Sequence, residues 1–351
     1  MEHTLSKRSL NRATLARQML LAREKVKPSI AVERLAGMQA QVPKPPFIGL
    51  WSRLQNFKRD DLKRAIDKRE VVRATMMRAT IHLMSRRDYI AMRAPLQPML
   101  TRGMNAVLRN RADFDLEVVM RDAHAFFDGQ PRTFDELRKH LIKLHPNFDE
   151  RAMGYAIRMH LPLIQVPDES TWSWPANATF TIAESWLGEP IANDATPHAL
   201  ALRYFAAFGP ATVADFQMWS GLQSMRGVVD ELRPKLVTFR DERGRELFDL
   251  PKAPRPDEET PAPVRFLPEY DNLLLGHANR SRVIADDHRK RIITPNLRIV
   301  ASFLVDGFVA GAWTIERKKI KIEPFVKLTK KVRDELMDGA EALVRFVEEG
   351  V

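Results

Sequence analysis

RYFAAFGPATVADFQMWSGL, residues 203–222, is the stretch from which the fold is read. Apolar positions recur at helical spacing up to Phe208, where Gly209-Pro210 stops the helix. Thr212-Val213-Ala214-Asp215 then opens a second helix as a capping box, the threonine accepting from the third residue's amide while the acid reaches back. Gly221 makes the turn into an expected third helix over residues 222–232. Residues 236–239 and 246–250 alternate as strands around Arg243-Gly244, the expected tip of a hairpin. Helices closed by a β-hairpin make a winged helix.

The same order recurs upstream. Residues 10–21, 29–38 and 60–68 read as helices, the second capped by Ser29, and 71–84 as a β-pair. Thr133-Phe134-Asp135-Glu136 is a full capping box, followed by an expected helix at 149–160 and strands at 163–166, 171–174 and 180–183. Five prolines in 251–263 read as a linker. Asp306-Gly307 between apolar runs marks a further hairpin, residues 319–326 a third strand, and 329–347 a closing amphipathic helix. The expected fold class is therefore α+β: about three tandem winged helices, at 1–112, 113–195 and 196–250, the linker, and a β-meander with its helix at 264–351.

Charge is distributed unevenly. Residues 1–112 carry 24 Lys/Arg against 8 Asp/Glu; the other 239 residues carry 32 against 37, so the net +11 comes from the front third. Cations gathered on one module point to a polyanionic partner. There is no cysteine, which excludes disulfides, thiolate metal sites and a thiol nucleophile. The nine histidines form no tight ligand cluster. No apolar run is long enough to span a bilayer, and residues 1–17 lack the apolar region of a secretory leader. The expectation is a cytoplasmic protein that needs no cofactor and binds a nucleic-acid surface rather than a membrane.

Within the basic third lies Gln39-Ala40-Gln41, placed by this reading where a helix runs into a loop, because Pro43, Pro45 and Pro46 forbid its continuation. In an extended segment residues i and i+2 share a face, so both amides can line one pocket. Residues 31–54, AVERLAGMQAQVPKPPFIGLWSRL, together with Met77–Leu83, RYFAAFGPATVADFQMWSGL, VRFLPEYDNLLLG (264–276) and FLVDGFVAGAW (303–313), resemble the winged-helix DNA glycosylases of the AlkZ/YcaQ type. The resemblance runs in order along nearly the whole chain. It implies a C-shaped molecule with a basic channel for double-stranded DNA, and so a nucleoid-associated monomer. It also implies hydrolysis of the N-glycosidic bond of N7-alkylated purines, with unhooking of interstrand crosslinks in some members. The family's Gln-x-Gln motif falls on Gln39 and Gln41, which makes these the candidate catalytic pair.

A neutral amide is no general base, but it accepts and donates hydrogen bonds and so can hold a water. A purine alkylated at N7 is already cationic and leaves without protonation, so positioning suffices. The candidate DNA-binding residues are Arg73, Arg78 and His82 on the first β-pair and Arg240, Arg243 and Arg245 on the third hairpin. His82 reads equally as a hydrogen-bonded structural histidine. Glu269 and Asp271 are either tuning carboxylates or, in the favoured reading, structural partners of backbone amides or of Arg265 or Arg280. Trp51 and Trp219 read as core. Arg317, Lys318, Lys319 and Lys321 form a second basic cluster. The alternative function is a non-catalytic winged-helix DNA binder, a regulator or damage sensor.

Overall fold

A computed structural model describes residues 4–109, 114–294, 298–317 and 319–348. The expected boundary at 112–113 and Lys318 lie outside these. The mixed α+β architecture is as expected, and the topology is more regular than the sequence reading. The first unit runs helix Pro28–Arg34, strand Met38–Gln39, helices Lys44–Arg53 and Arg59–Asp67, then strands Val71–Thr75 and Ile81–Ser85. The second runs helix Leu116–Phe127, strand Arg132–Thr133, helices Phe134–Leu144 and Glu150–His160, then strands Leu163–Gln165 and Thr179–Ile182. In both, the short first strand pairs with the last: Gln39 lies opposite His82, and Arg132 opposite Phe180. The third has helices His198–Phe208, Val213–Ser220 and Arg226–Glu231 before the hairpin Val237–Asp241 and Glu246–Asp249, with Ala211 bridging to Phe248 in the place of the short strand. Helices followed by a β-hairpin thus recur three times along the chain.

The first two units share one six-stranded sheet. Their inner hairpin strands join antiparallel, Arg73 opposite Gln165 and Ala74 opposite Ile164, and the two short strands lie at the outer edges. Core side chains fill both faces of the first unit's sheet. Val72, Ala74 and Met84 belong to the cluster containing Tyr204, Phe208 and Trp219, while Val71 and Leu83 pack with Phe47, Phe266 and Phe303.

Several local expectations change. The three prolines do not end the fold's helical character; Pro45 and Pro46 sit in the first turn of Lys44–Arg53, where missing N–H groups cost nothing. The helix before the glutamines ends at Arg34 and starts at Pro28, so Ser29 is inside it and no cap. The third helix of the third unit starts only at Arg226, because the Ser220 and Gln217 side chains accept from Leu222 N and Met225 N instead. The aromatic run at 171–174 is a turn, not a strand: Trp174 Nε1 donates to Gln165 O, and Trp172 packs edge-on against Phe47. Both capping boxes form, at Thr133 with Glu136 and at Thr212 with Asp215.

The charge asymmetry has a structural meaning that composition hides. Arg12, Arg17, Arg53, Arg59, Arg73 and Arg93, all from the basic third, are buried. Several basic residues of this third pair with acids from the later part of the chain: Arg8 and Arg12 with Asp306, Arg17 with Asp249, Arg53 with Asp271, and Arg86 with Glu189. Part of the excess is therefore complementarity between modules rather than a surface for DNA. Strand Thr4–Leu5 runs parallel to the third unit's hairpin, and helix Lys7–Arg17 packs on helix His198–Phe208. The C-terminal sheet orders Arg265–Leu267, Ser302–Val305, Phe308–Glu316 and Lys319–Pro324 as neighbours, turning at Asp306-Gly307 as expected, and helix Lys330–Glu348 covers it.

Candidate active site

Gln39 sits on an edge strand, not at a helix end. The helix Pro28–Arg34 closes through Gly37 N to Val32 O, 2.9 Å, with Ala36 and Gly37 turning left-handed, and the chain re-emerges extended at Met38–Gln39. Asn272 from the C-terminal module clasps this turn by donating to Leu35 O and Gly37 O. Its neighbour Asp271 pairs twice with Arg53, at 2.8 and 2.7 Å, at the end of the helix that follows the glutamines. Asp271 also caps Leu273 N, while Glu269 pairs with Arg298. The structural reading of these carboxylates holds, with Arg53 and Arg298 as partners in place of Arg265 and Arg280, which bind the carbonyls of Leu20 and Leu274.

The ladder breaks at Ala40. Ala40 N donates to Ile81 O, but Ile81 N turns to the Gln41 side chain, 3.2 Å, instead of a backbone carbonyl. Ala40 O instead accepts from Arg73, through Nε at 3.0 Å and Nη2 at 2.8 Å. Arg73 also holds the Gln165 side chain and packs over Trp174. At 4% exposure it cannot reach phosphate, so the DNA-contact expectation for Arg73 is replaced by a bracket on the Gln39–Gln41 peptide. Burial pulls its pKa down to about 10, which leaves it charged at neutral pH.

Gln39 is 8% exposed and Gln41 is exposed, one at the base and one at the rim of the same edge. Arg78 Nη2 donates to Gln39 Oε1 at 3.0 Å. Both amide orientations follow from partner chemistry: an N–H donor faces oxygen in each case, so flipping either amide opposes donor to donor. Each carbonyl keeps a second lone pair.

His82 is 2% exposed, which disfavours its cationic form. Burial and then the Arg78 charge push its pKa down to about 3. Nδ1–H donates to Thr80 O, 3.0 Å, and Nε2 accepts from Arg78, 3.3 Å. The imidazole is neutral with both nitrogens engaged, so it contacts no phosphate and has no free base position. This corrects the DNA-binding expectation for His82. Arg78, half-buried, is turned inward to Gln39, His82 and Trp219 O rather than outward.

At the third hairpin, Asp241 accepts from the amides of Arg243 and Arg245 and pairs with the Arg245 side chain, while Arg240 donates to Gly244 O. The Arg243 side chain projects from an exposed tip. Trp219 is core as expected; Trp51 is half-buried under Arg23 and against Phe346. Arg317, Lys319 and Lys321 are exposed, Lys321 facing Glu316. Sequence reasoning missed Lys44 and Arg59, both over the Trp172 ring, 5.6 and 5.1 Å from its centroid; Arg59 Nη1 has no partner. Lys44, three residues after Gln41, was the legible signal.

Among the described residues, no helix is long and apolar enough to cross a membrane, and no cluster of His, Asp and Glu is suited to a metal. This α+β chain, with Gln39 buried and Gln41 exposed on one sheet edge, is of the DNA glycosylase class. The chain belongs to the AlkZ-like DNA glycosylase family, whose model matches residues 32–346, and it is a DNA glycosylase. The interstrand DNA cross-link repair glycosylase of Streptomyces sahachiroi is 26% identical over 345 residues, 89% of this chain and 88% of that one. The solved structure of the Streptomyces sahachiroi DNA glycosylase AlkZ superposes with a TM-score of 0.79 at 22% identity, over 98% of this chain and 97% of that one, a likeness of fold. Family membership sets aside the non-catalytic alternative.

Proposed function

We propose that this glycosylase hydrolyses the N-glycosidic bond of cationic N7-alkylated purines in duplex DNA, with Gln39 and Gln41 positioning the water, and leaves an abasic site. The observation that carries this reading is the fixed orientation of the two amides. Each carbonyl is held by an N–H donor and retains a lone pair for a water O–H. As the C1′–N9 bond breaks, its electron pair neutralises the alkylated imidazolium. The base leaves uncharged, water oxygen closes on an oxocarbenium-like C1′, and the proton released from the added water passes to solvent. Carbonyl dipoles beside that centre stabilise developing positive charge, and holding water in line lowers the entropic part of the barrier. None of the side chains bonded to Gln39 or Gln41 is a lysine, in keeping with direct hydrolysis rather than a Schiff base.

The exposed rim at Gln41 and Val42 suits a lesion tethered to the opposite strand, as in the crosslinks named for the Streptomyces relative. We assign Lys44, with Arg240, Arg243 and Arg245 at the third hairpin, to phosphate contacts along a basic channel, and take the active form to be a monomer.

Single-turnover release of 7-methylguanine from a methylated duplex tests the assignment. Gln39→Ala with Gln41→Ala is expected to slow release by about 10²-fold or more while DNA affinity stays within about threefold. Equal release by the double variant removes the pair from the mechanism. Absence of release by the native chain from methylated and crosslinked duplexes alike overturns the substrate class.

A further inference from the structure

The turn joining strands Val71–Thr75 and Ile81–Ser85 is built against its own backbone preference. Arg78 and Ala79 both adopt left-handed geometry, at φ 55° and 57°, while Thr80 N closes on Met77 O at 3.1 Å. Two-residue hairpin turns of this sign normally carry Asn or Gly, because a Cβ in that region costs about 1 kcal/mol or more per residue. A chain that places arginine there accepts strain for what the side chain does. Here the guanidinium donates to Gln39 Oε1 at 3.0 Å and to Trp219 O, and lies 3.3 Å from His82 Nε2. Its partners come from three places: the edge strand bearing the motif, the adjacent strand, and the end of the third unit's helix Val213–Ser220.

We infer that Arg78 is the positioning residue of this glycosylase, locking the Gln39 amide in the orientation that holds water and thereby making the third winged helix part of the active site. The inference rests on the role proposed for Gln39. Without the guanidinium, the Gln39 amide is free to rotate or flip, presenting N–H where the water needs an acceptor. Trp219 O supplies the fixed point: it anchors one nitrogen so that the other meets Gln39, a two-nitrogen planar fork that a lysine, whose donors all radiate from one nitrogen, does not offer. His82 completes the frame as a neutral acceptor, its tautomer set by Thr80 O. Arg78 does not touch the scissile bond in this scheme; it acts only through Gln39.

That restriction gives the test. Asn suits a left-handed position, so Arg78→Asn keeps the turn and removes the fork; melting temperature checks that the variant folds. Single-turnover release and duplex affinity are measured for the native chain, Arg78→Asn, Gln39→Ala and the double variant. Arg78→Asn is expected to slow release by about 10²-fold, the scale of misplacing a positioned group, with duplex affinity unchanged. In the Gln39→Ala background it is expected to cause no further loss. Arg78→Lys, keeping the charge but with all its donors on a single nitrogen, is expected to fall between.

Full release by Arg78→Asn, or an equal further loss in the Gln39→Ala background, overturns the inference while leaving the Gln39 assignment standing. Native release by Gln39→Ala overturns that assignment and the inference with it. If Arg78→Asn does not fold, the same cycle with Arg78→Lys decides: a loss confined to the Gln39-containing background supports the role, and an additive loss rejects it.

Discussion

Residue identity decided less than residue environment did. Arg73, Arg78 and His82 read alike from sequence as groups for phosphate, yet two are buried and the third faces inward. The histidines carry a testable consequence. His82 and His277 are both pushed down to about 3, first by burial, then by Arg78 and Arg282 respectively. The unfolded chain titrates near 6.5, so between about pH 3 and 6.5 it binds protons that the folded chain refuses, and stability falls as pH drops through that window. Asp88 opposes this: burial raises its pKa to about 6, so the folded state holds its proton more tightly as pH falls. Two histidines against one aspartate still favour loss on acidification. His277 lies away from the glutamines, donating from Nε2 to Phe208 O with Nδ1 unpartnered. His277→Gln keeps a donor and removes the titration. Its melting temperature should decline less between pH 7 and pH 5 than the native chain's, the difference amounting to at most about 1.4 kcal/mol per pH unit below 6.5. Equal declines would rule out the buried, neutral state.

Among the elements, the short first strand of each winged helix matters most for the site and was invisible beforehand. Two residues cannot show a period, so Met38–Gln39 read as a helix end. It takes its conformation from the hairpin beside it, Met38 opposite Leu83 and Gln39 opposite His82. The third unit's helix reaches the same site through its C-terminal turn. Gly221 caps that helix at φ +80°, and a Cβ there would lie 2.9 Å from Met99 Cγ and 3.3 Å from Arg78 Cα. Gly221→Ala should therefore cost about 1–2 kcal/mol for the left-handed backbone and also slow base release by shifting Arg78. Gly188→Ala is the comparison, because Gly188 caps a helix at φ +71° with nothing near its missing Cβ. Similar losses of melting temperature with release impaired only at Gly221 would support the coupling; equal release by both would disprove it.

For the molecule as a whole, the C-terminal module grips the site from behind. Asp271 and Arg53 are each about 1% exposed at the side chain and pair at 2.7 Å, and Asn272 holds the turn before Gln39. Removing one member of a buried pair strands the other charge, a loss of about 3–5 kcal/mol. Asp271→Ala is expected to lower the urea midpoint by that equivalent and to impair release, since both ends of the Gln39–Gln41 segment lose their anchor. A midpoint near native would show that Arg53 finds another partner. The same scale explains the charge pattern: ion pairs such as Arg17 with Asp249 join distant parts of the chain, so local charge excess reports assembly as well as DNA.

What the sequence determined alone was whatever short-range physics dictates. Capping boxes at Thr133 and Thr212, the helix His198–Phe208 and the Asp306-Gly307 turn stand where local pattern put them, since each is satisfied within a few residues. The likeness in residues 31–54 and 203–222 marked the family and the two glutamines for the same reason, being written in contiguous stretches. Only the tertiary structure decided which arginines face outward, which state His82 adopts, and that Arg78 meets Gln39 and Trp219. Those outcomes depend on desolvation and on partners up to 298 positions away along the chain, and neither is encoded in any local window.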